Sequence, residues 1–316
     1  MRVAVMGAGA VGGYFGARLA ASGTDVTFIA RGEHLEAMRK RGLRVRSVLG
    51  DMDIHSTFSS DLDGIAPVDL VVFAVKSPDT EAAARSLAPL MGSTTPILSL
   101  QNGVDNADKI SRLWGGDRTL AGVAYLSARI SAPGVIEHSG GGRIVLGALH
   151  AGGQDRARIA HSLLAQAKIS CVVSPDIRQQ LWKKLAWNAP FCALSCLLHM
   201  TVGDILRSPS LEALVRGCID EVRDAARTRG IDLSPSTAQD ALDFSSILRD
   251  VKPSMLQDLE AGKPLEHDAL NGIVVRILHQ SGKRAPVNEI LYTALTRLDR
   301  GLRATRSENR GDCDGR

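Results

Sequence analysis

The chain has 316 residues, 44% of them hydrophobic and 23% charged, which is enough apolar material for two ordinary globular domains. The net charge of +4 is dispersed and aromatic residues make up only 4%, so the composition argues against nucleic-acid binding. The sequence shows no run of 18 apolar residues, no signal-peptide pattern and no C-x-x-C spacing among its five cysteines. We therefore expect a cytoplasmic protein with no membrane span, no disulfide framework and no metal site.

The first half of the chain alternates short apolar runs with helical patterns. Strands are predicted over residues 3–6, 26–29, 70–75 and 97–100, and helices over 11–21, 80–91 and 104–113. Such alternation predicts an α/β Rossmann domain with a doubly wound, mostly parallel sheet. Residues 120–146 contain Gly, Pro and Ser breaks between short β-like pieces, and we expect antiparallel strands there. A helix over 156–166 and a strand over 171–173 complete this half.

The second half of the chain has a different pattern of apolar residues. Helical patterns without a convincing strand run from residue 177 to 302, and the clearest helix, over 211–229, is ended by Gly230. Pro175 marks a plausible boundary, which predicts a Rossmann domain over 1–174 and an all-α domain over 175–302. Residues 303–316 are polar and predict a solvated, disordered tail.

A G-x-G-x-x-G sequence lies between the first predicted strand and the first predicted helix, the context that a dinucleotide site requires. Its glycines allow a tight turn and close approach of a pyrophosphate, which the helix N-terminus binds. An ordinary glycine-rich turn is the weaker alternative in this context. The predicted cofactor-binding residues are Gly7, Ala8, Gly9, Ala10, Val11 and Gly12.

The end of the second strand bears on which dinucleotide binds. NAD enzymes usually place Asp or Glu there to bind the ribose 2′-hydroxyl, whereas this chain has Ala30-Arg31-Gly32. An arginine can pair with the 2′-phosphate of NADP, so Arg31 predicts NADP(H) as cofactor. A surface arginine is the alternative interpretation.

Several residues could carry chemistry. Lys184 and Asn188 are four apart on a predicted helix and share a face, although spacing alone favours a surface lysine. Glu266 and Asp268 could act as acids or bases, or could cap the helix that follows; His267 between them is more often a lone exposed histidine. Asn102, in Gln101-Asn102-Gly103, lies at the carboxyl edge of the predicted sheet, where ligands bind, or in a tight turn.

Taken together, these motifs resemble the ketopantoate reductase family (2-dehydropantoate 2-reductase), and the resemblance runs to about residue 302. The matching segments are 7–13 (GAGAVGG), 29–32 (IARG), 74–76 (AVK), 101–104 (QNGV), 182–188 (WKKLAWN), 253–258 (PSMLQD) and 266–272 (EHDALNG).

The resemblance implies a Rossmann domain followed by a helical domain like that of 6-phosphogluconate dehydrogenase. It also implies NADPH-dependent reduction of a 2-keto acid, first of all ketopantoate to pantoate in pantothenate biosynthesis. By the same resemblance, Lys184 is the general acid and Glu266 sets that lysine and contacts substrate. Asn188 and Ser254 match substrate-binding residues, and Asn102 and Lys76 match residues near the nicotinamide and its ribose.

One position departs from the family pattern. The second asparagine of the family motif, four residues beyond Asn188, is Cys192 here, and a thiol is a weaker hydrogen-bond partner than an amide. We expect Cys192 at the substrate site, or else packed beside Cys196 in the core. Two alternative functions stay open: a related dehydrogenase of another small 2-keto acid, and a non-catalytic NADP-binding regulator. A homodimer is also open.

Overall fold

The computed structural model describes the backbone of residues 1–311 and the side chains through Arg303, and it divides into two compact units. The first unit is Met1–Gln180, and the second begins at Leu181. Within the described residues, no helix is long and apolar enough to cross a membrane.

The first unit is built on one sheet, to which ten strands of the described residues contribute. They are β1 (Arg2–Met6), β2 (Asp25–Ile29), β3 (Leu43–Ser47), β4 (Met52–Ile54), β5 (Thr57–Ser59), β6 (Leu70–Phe73), β7 (Ile97–Ser99), β8 (Thr119–Ala132), β9 (Val135–Ala148) and β10 (Ser170–Val173). Their order is β4-β3-β9-β8-β7-β6-β1-β2-β5, with β10 also paired to β9. The helices are α1 (Ala10–Ala21), α2 (Gly32–Arg41), α3 (Thr80–Ser86), α4 (Asn106–Trp114) and α5 (Gln154–Gln166).

In the series β8, β7, β6, β1, β2, β5 each strand runs parallel to the next, which confirms the predicted, mostly parallel sheet. Two separate apolar cores pack on this sheet, one of them including α1 and the other the apolar side of α3. The apolar runs form buried strands because side chains on both faces of a sheet between two helical layers must be apolar. The expected antiparallel strands over 120–146 are confirmed as the long hairpin of β8 and β9.

Two features of this unit differ from the sequence prediction. The short strands β3, β4 and β5 lie in a region for which no strand was predicted, because they are only three to five residues long and partly exposed. The helix predicted over 80–91 ends at Ser86 and continues as a 3-10 turn around Pro89. Proline disfavours helical backbone at the residue before it and lacks the amide proton that would continue the helix.

The second unit is helical throughout its described residues, as the sequence predicts. The elements are α6 (Ile177–Leu198), which begins in the first unit, then α7 (Val202–Leu206), α8 (Pro209–Thr228), α9 (Thr237–Ile247), α10 (Ser254–Glu260), α11 (Ile273–Gln280) and α12 (Pro286–Gly311), with a π-helical turn at Asp268–Gly272 before α11. Gly230, just beyond α8, has a φ of +74°, the left-handed backbone that ends many helices.

Helix α12 runs through residues 303–311, part of the stretch predicted to be a disordered tail. Arg303 extends the helix by pairing with Asp299 one turn earlier, Nε to Oδ2 at 2.7 Å. Residues 312–316 lie outside the described residues. The predicted domain boundary at 174/175 falls just before α6.

Candidate active site

The glycine-rich loop joins β1 to α1 in a turn held by backbone hydrogen bonds. The amides of Gly7 and Ala8 both donate to the carbonyl of Ile29 at the end of β2, at 3.1 and 2.9 Å. Gly7 has a φ of +97°, and a Cβ there would lie 2.7 Å from the backbone nitrogen of Val75. This position therefore requires glycine both for its conformation and for the close approach of β6.

The other two glycines of the motif, Gly9 and Gly12, have different roles. A Cβ on Gly12 would collide with the carbonyl oxygen of Gly7, so Gly12 permits α1 to pack against the strand below it. A Cβ on Gly9 would meet no atom within 4 Å, so this backbone is open to an incoming group. Gly9 caps α1 without a side-chain hydrogen bond, and the first turn of α1 carries no acidic residue. The N-terminus of α1 is therefore free to bind a pyrophosphate, and the loop fits a dinucleotide.

His34 supports this loop, a role that the sequence did not reveal. Its Nδ1 accepts a hydrogen bond from the amide of Gly134 at 3.0 Å, so Nε2 carries the proton and donates it to the carbonyl of Ala8, also at 3.0 Å. The only signal in the sequence is a histidine early in the helix after Arg31, which gives no hint of a partner 100 residues away.

Arg31 follows β2 directly and is exposed at the N-cap of α2, with an extended backbone. No acidic side chain stands at the end of β2, where ribose-binding carboxylates occur, because that strand is followed by Ala30 and Arg31. Lys76 is exposed after β6, at the same edge of the sheet.

Asn102 lies after β7 and is partly buried. Its carbonyl accepts a hydrogen bond from Asn106 Nδ2 at 2.6 Å and one from Ser77 Oγ at 3.2 Å. The neighbouring Gln101 points inward, where its Nε2 donates to the carbonyl of Val75 at 3.0 Å. These bonds hold the segment carrying Lys76 and the segment carrying Asn102 together at the carboxyl ends of β6 and β7.

In the second unit, α6 places Lys184, Asn188 and Cys192 on one face, since they are spaced four residues apart. Asn188 is 6% exposed and Cys192 is 1% exposed. Lys184 is only partly exposed, unlike Lys183 next to it, which is exposed. Burial lowers the pKa of its ammonium to about 8, and the neighbouring Cys192 and Glu266 partly oppose that change. A lysine in such surroundings is a competent proton donor near neutral pH.

Glu266 is the acidic partner of this group. It is 7% exposed and belongs to a different part of the unit, before the π-helical turn. The negative charge of Glu266 acts on Lys184, 82 positions earlier in the sequence, and raises the pKa of the ammonium. Asp268 instead pairs with Arg276 at 2.6 Å and accepts a hydrogen bond from Tyr292 at 2.9 Å, so its role is structural.

The remaining predicted residues of this unit are placed as follows. Ser254 is exposed as the first residue of α10. His267 is buried rather than exposed, with its ring 5.6 Å from that of Tyr292, and burial lowers its pKa, so the imidazole is neutral at physiological pH. Cys192 and Cys196 are both buried and reduced, and burial raises the pKa of Cys196 strongly.

Asn271 connects the segment after Glu266 to α6, and the sequence pattern did not single it out. The residue is fully buried, and its Nδ2 donates to the carbonyl of Ala189 on α6 at 3.1 Å and to Asn288 Oδ1 at 3.0 Å. Ala189 follows Asn188 directly, so this amide ties the π-helical turn after Glu266 to the helix that carries Lys184. π-helical turns inside helices are frequent at functional sites.

The first unit thus contains a glycine-rich loop that fits a dinucleotide. The second unit contains a lysine with a lowered pKa and a buried glutamate whose charge acts on it. Within the described residues, no group of three or more His, Cys, Asp or Glu side chains could hold a metal ion.

Comparison with known proteins identifies the family. Residues 3–151 match the family model "Ketopantoate reductase PanE/ApbA", and residues 176–299 match its C-terminal counterpart. The 2-dehydropantoate 2-reductase of Mesorhizobium japonicum is 30% identical over 94% of this chain and 98% of its own length. The solved 2-dehydropantoate 2-reductase of Geobacter metallireducens is 35% identical, with a TM-score of 0.89 over 94% of this chain and 99% of the other.

The chain belongs to the ketopantoate reductase family, whose members are NAD(P)-dependent oxidoreductases acting on CH–OH groups. A D-mandelate dehydrogenase solved with NADH and anilino(oxo)acetate has the same fold, with a TM-score of 0.91 over 96% of this chain and 100% of its own, at 22% identity.

Proposed function

We propose that this protein reduces a 2-keto acid to the 2-hydroxy acid with NADPH, and that 2-dehydropantoate is its first candidate substrate, in pantothenate biosynthesis. The observation that carries the proposal is the desolvated Lys184, with a pKa of about 8, beside the buried Glu266. The full-length similarity to 2-dehydropantoate 2-reductases supports the same substrate.

The chemistry follows from these side chains. Reduced nicotinamide supplies a hydride to the C2 carbonyl carbon. Negative charge then develops on the carbonyl oxygen, where the ammonium of Lys184 stabilises it and transfers a proton from Nζ to complete the hydroxyl. Glu266 would keep the lysine charged before the reaction, and Asn188, one turn further along α6, would donate a hydrogen bond to substrate. Ser254 and Asn102 complete the proposed substrate contacts.

The cofactor is proposed to be NADPH because Arg31 stands where NAD enzymes carry a carboxylate. Gly7 to Gly12 would hold the pyrophosphate, Arg31 the 2′-phosphate, and Lys76 and Asn102 the nicotinamide end. The open backbone at Gly9 and the uncapped start of α1 support this placement.

One observation favours a second candidate substrate. Cys192 lies two turns beyond Lys184 on the same face of α6, at the position of the family's second asparagine, and a thiol pairs only weakly with a substrate hydroxyl. A site built to bind a hydroxyl strongly rejects analogues that lack it, whereas a site without that partner discriminates less. A 2-keto acid without the distal hydroxyl of ketopantoate is therefore the alternative substrate.

A substrate panel tests both candidates. NADPH consumption is measured with 2-dehydropantoate, with a branched 2-keto acid lacking the hydroxyl, and with an aromatic 2-keto acid. The three substrates are compared by kcat/KM. We expect a raised KM for ketopantoate, because the thiol of Cys192 binds its hydroxyl only weakly. NADPH binding without turnover of any 2-keto acid would refute catalysis and favour the regulator.

The variant Cys192→Asn isolates the thiol. We expect it to lower the KM for ketopantoate and to leave the KM for the keto acid without a hydroxyl nearly unchanged, because an amide restores the hydrogen bond. Cys196→Ala, one turn further along α6, is the matched control. An unchanged KM with a lower melting temperature would show instead that Cys192 is a core residue, since a buried unpaired amide destabilises the fold.

A further inference from the structure

The first unit contains a cavity of about 310 Å³ that the proposed reaction does not use. Tyr14 and Arg18 on α1, the Gly141–Gly142 bulge in β9 and the turn at Lys168 contribute to its wall. Arg18 lies nine residues beyond Gly9, which is about 13 Å along the axis of α1. The cavity is therefore separate from the glycine-rich loop at the other end of the helix.

The charged residues of the wall are all cationic. Arg18, Arg143 and Lys168 line the cavity, no acidic side chain does, and none of the three cations pairs with a carboxylate among the described residues. Arg18 is held in place by one bond, in which Nη2 donates to the carbonyl of Lys168 at 2.9 Å. That bond also fixes Lys168 in a left-handed backbone conformation, with φ +54°, which is unusual for a residue other than glycine.

Tyr14 adds a neutral donor to these cations. Its side chain is 1% exposed and lines the same cavity. Gly142, with φ +108°, keeps the space beside this hydroxyl open, because a Cβ there would lie 3.0 Å from the oxygen.

No neighbouring group neutralises the cationic wall. The ring of His138 packs 4.3 Å from that of Tyr14, and its nitrogens contact Ser47 Oγ and the carbonyl of Gly140. Burial is the main reason that the pKa of His138 is lowered, and the positive charge of Arg18 lowers it further. The histidine is therefore neutral, and the charge of Arg18 has no counterion in the described protein.

We propose that this cavity binds the phosphoryl group of a small metabolite, with the Arg18 guanidinium and the Tyr14 hydroxyl as its donors. A guanidinium offers paired N–H groups that match phosphate oxygens, and a phenol adds a third donor. The excess of positive charge favours a dianion over a monocarboxylate. The volume lies at the lower end of the range for small-molecule sites, so it suits phosphate or a short phosphate ester rather than a nucleotide.

The test uses the intact protein saturated with NADPH, so that added phosphate cannot bind at Arg31. Calorimetric titration with inorganic phosphate and with glycerol 3-phosphate, at ionic strength held constant with chloride, is expected to show one site with a Kd of roughly millimolar or tighter. Comparing the two ligands separates a site for the free ion from a site for an ester. Binding is also expected to move the ring resonances of His138 in NMR spectra, since it offsets the charge of Arg18.

Two variants and one control decide the assignment. We expect Tyr14→Phe to weaken phosphate binding several-fold and Arg18→Gln to weaken it about tenfold. Arg112→Gln on α4 removes the same charge elsewhere and is expected to change the Kd less than about twofold. The NADPH affinity of each variant reports whether α1 is intact, and Tyr14→Phe removes only one oxygen atom. Absence of saturable binding, equal effects in all three variants, or equal binding of malonate would each overturn the proposal.

Discussion

The acidity of Lys184 leads to a specific pH dependence. Its ammonium has a pKa of about 8, against about 10.4 for an exposed lysine. Reduction requires the charged form as proton donor, so we expect kcat/KM for the keto acid to fall as pH rises through about 8. Oxidation of the hydroxy acid requires the neutral amine as base, so its rate is expected to rise over the same interval. Opposite profiles with one midpoint are the signature of a single shared group.

The lowered pKa of Lys184 also changes the free energy of unfolding. A pKa lowered from about 10.4 to about 8 makes the charged lysine about 3 kcal/mol less favourable in the fold than in water. Because the folded pKa is the lower one, the unfolded chain binds more protons between these values, so stability rises as pH increases from about 8 toward 10. Partial exposure screens part of this effect, and we expect about 1–3 kcal/mol to be recovered when the charge is removed.

Removing only the lysine leaves Glu266 buried without its partner, which destabilises the fold. The informative variant is therefore Lys184→Met combined with Glu266→Gln. We expect it to be more stable than wild type at pH 7 by about 1–3 kcal/mol, and to lose the rise in stability above pH 8. Its kcat is expected to fall by roughly 10²–10⁴-fold, and by no more than either single variant, because the two residues act as a unit.

Denaturant unfolding and steady-state kinetics at pH 6 to 10 measure these quantities, with Lys183→Met as the control. Lys183 is the exposed neighbour of Lys184 and is expected to change neither the pH midpoint nor kcat. Near-wild-type kcat in Lys184→Met, or a midpoint near 8 that persists in it, would remove this lysine from the mechanism. A double variant less stable than wild type would show that burial does not disfavour its charge.

Two further variants test the surroundings of the site. Arg31→Ala is expected to weaken NADPH binding by about tenfold or more and to leave NADH nearly unchanged, measured by fluorescence titration, and an equal loss for both would show that Arg31 does not contact the 2′-phosphate. Asn271→Ala is expected to lower stability by about 1–3 kcal/mol and to shift the pH midpoint of reduction while the NADPH Kd stays constant. A loss of stability with an unchanged midpoint would make Asn271 a structural residue only.

The parts of this protein that could be predicted from sequence are those set by local patterns. The glycine motif, the strand before it and the helix after it are consecutive, and each leaves a periodic or conformational signature. The hairpin of β8 and β9 was also predictable, because its turn residues and apolar runs are neighbours in sequence. Strands β3 to β5 were not, because short strands at the edge of a sheet carry little apolar periodicity.

The surroundings of Lys184 could not be predicted from the sequence. Spacing placed Lys184 and Asn188 on one helix face, but its simplest interpretation was a surface lysine. The pKa of the ammonium depends on how much water the folded chain excludes around it and on the charge of Glu266, 82 positions later, and no local pattern reports either. The role of Asn271 was hidden for the same reason, since its partner is a backbone carbonyl on another helix.

The glycine loop offers a way to separate cofactor binding from folding. Gly9 has a φ of −73°, which any residue can adopt, and a Cβ there meets no atom within 4 Å. Gly9→Ala is therefore expected to keep the melting temperature of wild type while it weakens NADPH binding, because the methyl group fills the space that the pyrophosphate approaches. Gly12→Ala is the matched contrast, since its Cβ collides with the carbonyl of Gly7, and we expect a lower melting temperature without NADPH. Thermal unfolding with and without NADPH measures both effects. Unchanged NADPH affinity in Gly9→Ala would mean that the open backbone at the start of α1 is not where the pyrophosphate binds.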